Sequence, residues 1–272
     1  MSLIKIDLIL LIKILLNMLT ESKKLVLSIL FLLFVFYLAG ISNAYAHNHA
    51  LDNRNDYPLQ DLGFRLTKNM NSKPYYAMND YLLYVIAGIA LTWTIIFSNK
   101  KVIIFKRWVL MVSFLFLLRV ITVPSTILTR PFENPDDWVS CKTLEYRFKN
   151  LLLAPLNTVI EGKLGCFDFF YSGHTINMIV PTLIIQKYFP NNRRWLKYFM
   201  VSLMWLLSFT CMFFIILLRS HYTIDVQAAL FFTVLLWKVM DYQIKYKTGL
   251  LSYCETIKEP RIIQIDDIEN QI

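Results

Sequence analysis

The segment "FYSGHTINMIVPTLIIQKYF", residues 170–189, changes character at Gly173. Ser172, Gly173, His174 and Thr175 sit directly against an apolar run that continues to Phe189. Such a run fits either the core of a large soluble domain or a membrane span, and the whole chain decides between them. Of its 272 residues 56% are hydrophobic and only 17% charged, which excludes a water-soluble domain of this size. Gly173–Phe189 is therefore read as a transmembrane helix with a histidine at its mouth. An ionisable group beside hydrocarbon is costly unless it has a task.

About 20 apolar residues cross a bilayer, and six windows qualify: Leu25–Tyr45, Tyr81–Ser98, Val109–Leu128, Gly173–Phe189, Leu196–Leu218 and Thr223–Tyr242. The expected fold class is all-α, a polytopic membrane protein built as a six-transmembrane-helix bundle. Lys23 and Lys24 precede the first span, and Lys100, Lys101, Lys106 and Arg107 separate the second from the third. Lys187, Arg193, Arg194 and Lys197 separate the fourth from the fifth, and Lys245, Lys247, Lys258 and Arg261 follow the sixth. With alternating spans all four clusters share one side, which the positive-inside rule makes cytosolic. These clusters account for the net charge of +9 without a nucleic-acid partner, since no soluble basic face collects them.

Three regions follow: a cytosolic or interfacial amphipathic segment over 1–23, a six-span catalytic domain over 24–246, and a cytosolic tail over 247–272. Within the first, Lys5, Asp7 and Lys13 interrupt the apolar residues 3–19, as in a helix lying on the membrane surface. The run from Lys23 to Ala46 has two readings. Its small residues Ala44 and Ala46 resemble a cleavage site, but its apolar stretch exceeds a signal core and starts well inside the chain. An uncleaved anchor is the expectation.

The alternation places residues 46–80, 129–172 and 219–222 together on the non-cytosolic face. His174 and His221 thereby share a membrane side and a depth. His221 and Asp225 are four apart, so on a helix they stack on one face. A carboxylate there accepts the proton-bearing nitrogen of the imidazole and leaves the other as a base or nucleophile. His174 can supply the complementary acid. In-line phosphoryl transfer through a phosphohistidine needs this set and no metal; no organic cofactor is expected either. His47 and His49, near Asp52 and Asp56, are not read as metal ligands because their loop is long and polar.

The motifs "CFDFFYSGHT" (166–175) and "HYTIDV" (221–226) resemble the two catalytic motifs of the sphingomyelin synthase family, a branch of the lipid phosphate phosphatase (PAP2-type) superfamily. "YPLQDLGF" at 57–64 and "RVITVPSTI" at 119–127 resemble two further motifs of that family, in the same order. The resemblance implies a six-span transferase that moves a phosphorylated head group, phosphocholine first among the choices, from a glycerophospholipid donor onto a ceramide acceptor. It implies His221 as nucleophile, Asp225 as its orienting partner and His174 as the acid protonating the departing diacylglycerol. Asp168 matches an acidic residue of the first catalytic motif, with a role beside His174 or the head group. Phe167 stands where the family pattern has glycine. Val123 replaces the phosphatase-branch lysine ahead of Arg130-Pro131, and Phe214-Ile215 replace its Ser-Arg pair, departures that favour a transferase over a phosphatase.

Around this site Arg130, Arg119 and Arg219 suit a lipid phosphate but also suit snorkelling to lipid head groups. Phe169, Phe170, Tyr171, Trp138 and Tyr222 can box a quaternary ammonium or belong to an interfacial aromatic belt. Tyr171, Tyr222, Arg130 and Asp168 are carried as the substrate-binding candidates. Cys141 and Cys166 share the non-cytosolic side and are open to a disulfide or to two free thiols. The alternatives are a phosphatase with water as acceptor, transfer of an ethanolamine or inositol head group, and a pH-sensing transporter. The expected address is a Golgi, ER or plasma membrane, with the site on the luminal or extracellular face. The oligomeric state is left open, a homodimer included.

Overall fold

Away from water, backbone N–H and C=O groups must pair within their own segment, so long apolar runs wind into helices. The computed structural model describes residues 20–52, 59–67, 78–128, 131, 170–191 and 193–246. In chain order they form α1 (Glu21–Asp52), α2 (Leu62–Leu66), α3 (Met78–Phe97), α4 (Lys101–Ser125), α5 (Gly173–Tyr188), α6 (Arg194–Leu217) and α7 (Thr223–Tyr246). Among the described residues there is no strand, so the all-α reading holds. The amphipathic segment 3–19, the tail from 247, Asp56, Arg130, Trp138, Cys141, Cys166, Phe167, Asp168 and Phe169 lie outside the described residues.

Five of the helices are long and apolar enough to cross a membrane: the Glu21–His47 part of α1, α3, α4, α6 and α7. The fourth expected span, α5, has only 16 residues, about 24 Å at 1.5 Å per residue against a hydrocarbon core of about 30 Å. Its end has a local cause: Pro190 disfavours helical backbone in the residue before it, and Phe189 is extended at φ −63°, ψ 134°. The short helix is the axis of the bundle. Ile176, Ile179, Val180, Ile184 and Ile185 on it are fully buried, with α3, α4, α6 and α7 all packed against it. The Thr182 and Ser208 hydroxyls, 2.9 Å apart, join it to α6.

α1 lies outside this group, along α4. Its Val26, Leu30, Leu33 and Phe34 are exposed, as a lipid-facing stripe requires, while the Ser42 hydroxyl donates to the carbonyl of Val120 at 3.0 Å.

Lys106 and Arg107, read from sequence as part of a basic connection between spans, are inside α4 and buried. What lets two cations leave water is a pair of acidic partners on other helices. Glu21 of α1 accepts from Lys24 at 2.9 Å and also from Lys106. Asp241 of α7 accepts from Arg107 at 2.5 Å and from Lys187 of α5. The Arg107 guanidinium also lies 3.7 Å from the centre of the Trp237 ring, a cation–π contact that favours this most weakly hydrated of cations. These links bind α1 to α4, and α4 to α5 and α7, at the end of the bundle opposite the histidines.

Candidate active site

The motif "SGHT" resolves into separate duties. Ser172 is the N-cap of α5, its hydroxyl accepting from the Thr175 N–H at 3.3 Å, the role for which serine is favoured at a helix start. Gly173 is needed for closeness. A Cβ there would collide with Nη1 of Arg119 and come within 3.5 Å of the Phe116 ring, so the absence of a side chain admits a guanidinium against the backbone. His174 follows in the first turn, half-buried.

The start of α7 supplies the other half. The His221 and His174 rings lie 5.8 Å apart, centre to centre, inclined at 65°. His221 Nδ1 is 3.6 Å from Oδ2 of Asp225, an ion-pair separation rather than a short hydrogen bond. The same Oδ2 accepts the Tyr222 N–H at 3.0 Å, which fixes the carboxylate. The two halves are joined through the backbone, the Ser172 N–H donating to the Asp225 carbonyl at 3.2 Å. All three catalytic candidates thus meet at one place.

His221 is buried, and burial is the main reason its imidazole titrates below the usual range; His174 and Arg119 lower it further, while Asp225 pulls the other way. A neutral ring with Nδ1 toward a carboxylate carries its lone pair on Nε2. Arg119 of α4, buried, acts electrostatically on Tyr171, Asp225 and His221. Tyr171 is buried in left-handed backbone at φ 78°, and burial pushes its phenol upward against the pull of Arg119, so it remains protonated. The Tyr171 hydroxyl, the Thr175 hydroxyl and Oδ1 of Asp225 are buried without a hydrogen-bond partner among the described residues.

Reading by sequence overlooked Asp80. In the first turn of α3, its Oδ1 lies 3.3 Å from Nε2 of His174. A carboxylate offers only lone pairs, so Nε2 carries the proton in this contact and Nδ1 is left to exchange one. The available signal was a carboxylate at the non-cytosolic end of a span, level with both histidines. Asn79 beside it donates to the Ser220 hydroxyl at 3.2 Å.

The other sequence candidates fall as follows. Arg219 donates to the carbonyls of Phe64 at 2.7 Å and Thr67 at 3.0 Å. The Tyr222 hydroxyl accepts the Leu59 N–H at 3.1 Å, and its ring stacks on Phe64 at 5.4 Å. Phe170 is half-buried against the core. His47 is buried within α1, while His49 is exposed with its ring 4.2 Å from that of Tyr45.

A bundle of apolar helices that brings two histidines and two carboxylates to one end is an integral membrane protein. Residues 165–243 match the family model described as PAP2 superfamily C-terminal, a stretch that holds α5, α6 and most of α7. Over 222 residues the chain is 28% identical to phosphatidylcholine:ceramide cholinephosphotransferase 1 of Gallus gallus, covering 80% of this chain and 51% of that protein. The Homo sapiens protein of the same name is 27% identical over 226 residues, covering 80% and 52%. Phosphatidylinositol:ceramide inositolphosphotransferase 3 of Arabidopsis thaliana is 28% identical over 220 residues, covering 78% and 71%. The likeness to sphingomyelin synthases read from the four motifs therefore runs through most of the chain, which spans about half the length of the cholinephosphotransferases it matches.

Proposed function

We propose that this protein transfers the phosphorylated head group of a glycerophospholipid, phosphocholine first among the candidates, to the primary hydroxyl of ceramide, on the luminal or extracellular face of a Golgi, ER or plasma membrane. The observation that carries the reading is the facing of His174 and His221 across 5.8 Å, each with its own carboxylate, Asp80 at 3.3 Å and Asp225 at 3.6 Å.

The steps follow from the tautomers that the two carboxylates favour. Nε2 of His221 forms a bond to phosphorus while the phosphorus–oxygen bond to diacylglycerol breaks, and His174 gives its proton to the departing oxygen. Diacylglycerol leaves. Ceramide's hydroxyl then gives its proton to His174 as its oxygen bonds to phosphorus, the nitrogen–phosphorus bond breaks and His221 is restored. Among the described residues Arg119 is a cation that acts electrostatically on His221 and Asp225, and electrostatic stabilisation of the transferring phosphoryl is a large contribution in such reactions. Tyr171, whose hydroxyl is buried beside Arg119, is carried as a substrate-binding residue. Arg130 and Asp168 are carried as further contacts to the donor, and Tyr222 as part of the site wall.

The test offers phosphatidylcholine, phosphatidylethanolamine and phosphatidylinositol separately to the purified protein with a labelled short-chain ceramide. One donor yields labelled phosphosphingolipid and diacylglycerol in equal amounts, with ping-pong kinetics. Diacylglycerol formed at the same rate without ceramide, or inorganic phosphate released from phosphatidic acid, defeats the transferase reading and favours the phosphatase.

The pH dependence has a definite sign. Because His221 titrates below the usual imidazole value of about 6.5, the acid limb that its protonation imposes on kcat/KM lies below that value. The same group makes the fold less stable in acid. Its stabilising contribution is complete above the unfolded value and is lost as the pH drops toward the folded one, because the unfolded chain takes up the proton first. An acid limb centred above 6.5 contradicts a buried neutral His221.

A further inference from the structure

The loop that carries His221 is held by a segment distant in sequence. Asp61 is the N-cap of α2, its Oδ1 accepting the Phe64 N–H at 3.1 Å. The same carboxylate accepts the Thr223 hydroxyl at 2.5 Å on Oδ1 and the Thr223 N–H at 2.8 Å on Oδ2. One side chain thus caps two helices, α2 and α7, the second starting two residues after His221. Gly63 makes room for this, since a Cβ there would collide with the Thr223 hydroxyl and lie 2.8 Å from Ile216. On the other side of His221, Arg219 sits in left-handed backbone at φ 56°. It ends α6 in a position where glycine is preferred. Its guanidinium lies 4.1 Å from the Phe64 ring centre and donates to the carbonyls of Phe64 and Thr67. Tyr222 stacks on the same Phe64 ring.

We propose that residues 59–67 are a clamp on the His221 loop and that Asp61 and Arg219 are positioning residues for the nucleophile. The inference rests on the transfer reading for its kinetic consequence but not for its geometry. An unfavourable backbone at Arg219 persists only if the surroundings hold it; a glycine would satisfy the backbone alone, so the arginine is there for its side chain. Neither residue touches the reacting atoms. Each sets the direction of His221 through the backbone on either side of it, and displacement of a reacting group by about 1 Å costs about 100-fold in rate.

The experiment compares Asp61→Asn and Arg219→Gly with the unaltered protein. Asp61→Asn sets an amide donor against the Thr223 N–H, while Arg219→Gly relieves the backbone and removes the guanidinium. Each lowers kcat about 100-fold with KM for both lipids within about twofold, and Arg219→Gly does so without lowering the melting temperature. Adding Thr223→Ala to Asp61→Asn costs little more, because both act through one contact. Hydrogen exchange over residues 219–226 quickens in both variants. Unchanged kcat with unchanged exchange overturns the clamp, as does a loss of turnover that only follows loss of folded protein. If the unaltered protein transfers no head group, the functional reading fails and the exchange data alone decide the clamp: quickened exchange upholds it and unchanged exchange removes it.

Discussion

A His221→Ala protein is expected to lose turnover by about 10⁴-fold or more, with the bundle intact. Removing a nucleophile eliminates the covalent route altogether, so the loss falls on kcat rather than on KM. The fold is spared because the imidazole lies outside the helices and Asp225, its ion-pair partner, keeps the Tyr222 N–H on the same carboxylate oxygen. A radiolabelled donor head group should remain with the unaltered protein after denaturation when ceramide is withheld, and should not remain with the variant. Label retained by His221→Ala, or turnover within about tenfold of normal, removes the phosphohistidine.

The second large effect belongs to Asp225→Asn. Here size and most packing survive, while the group facing Nδ1 of His221 changes from a pure acceptor to one able to donate. The imidazole then loses its preference for the tautomer with the lone pair on Nε2, a change that costs about 10³–10⁴-fold where a carboxylate orients a catalytic histidine. Because the oxygen facing Nδ1 of His221 also accepts the Tyr222 N–H at 3.0 Å, an amide that puts its NH2 there loses this bond as well, and the loop is disturbed along with the tautomer. Measuring kcat with saturating lipid, alongside hydrogen exchange at residues 219–226, separates a tautomer effect from a loosened loop. A loss smaller than about tenfold with unchanged exchange would show that Asp225 does not orient the nucleophile.

The parts of this site that were legible in the sequence are those that rest on local spacing or on a shared membrane side. His221 and Asp225 announce themselves by separation along a helix, and His174 by its place at the mouth of an apolar run. Asp80 does not, because a carboxylate at the start of a span looks like an interfacial residue until the packing of α3 on α5 brings it to His174. Arg119 likewise reads as a snorkelling arginine until Gly173 is seen to admit it. Lys106 and Arg107 were misplaced for the complementary reason. Basic residues near a span end signal a cytosolic connection, and only the acidic partners on α1 and α7 explain their burial. The length of α5 was overestimated by one residue, and its shortness matters more than the error: it passes for a span by composition, whereas its buried position within the bundle frees it from having to match a bilayer.

The double capping by Asp61 also has a consequence for how the protein is made. Asp61 and Thr223 are 162 residues apart, so during synthesis the carboxylate leaves the ribosome long before the helix end it will cap. Until α7 has inserted, the cap serves only the five residues of α2, too few for a stable turn on their own. The loop that carries His221 therefore takes its shape in the last step of assembly, when the final helix arrives beside a segment already waiting. In a chain that stops short of α7, the Asp61 carboxylate keeps the Phe64 N–H and lacks the Thr223 N–H that holds the His221 loop.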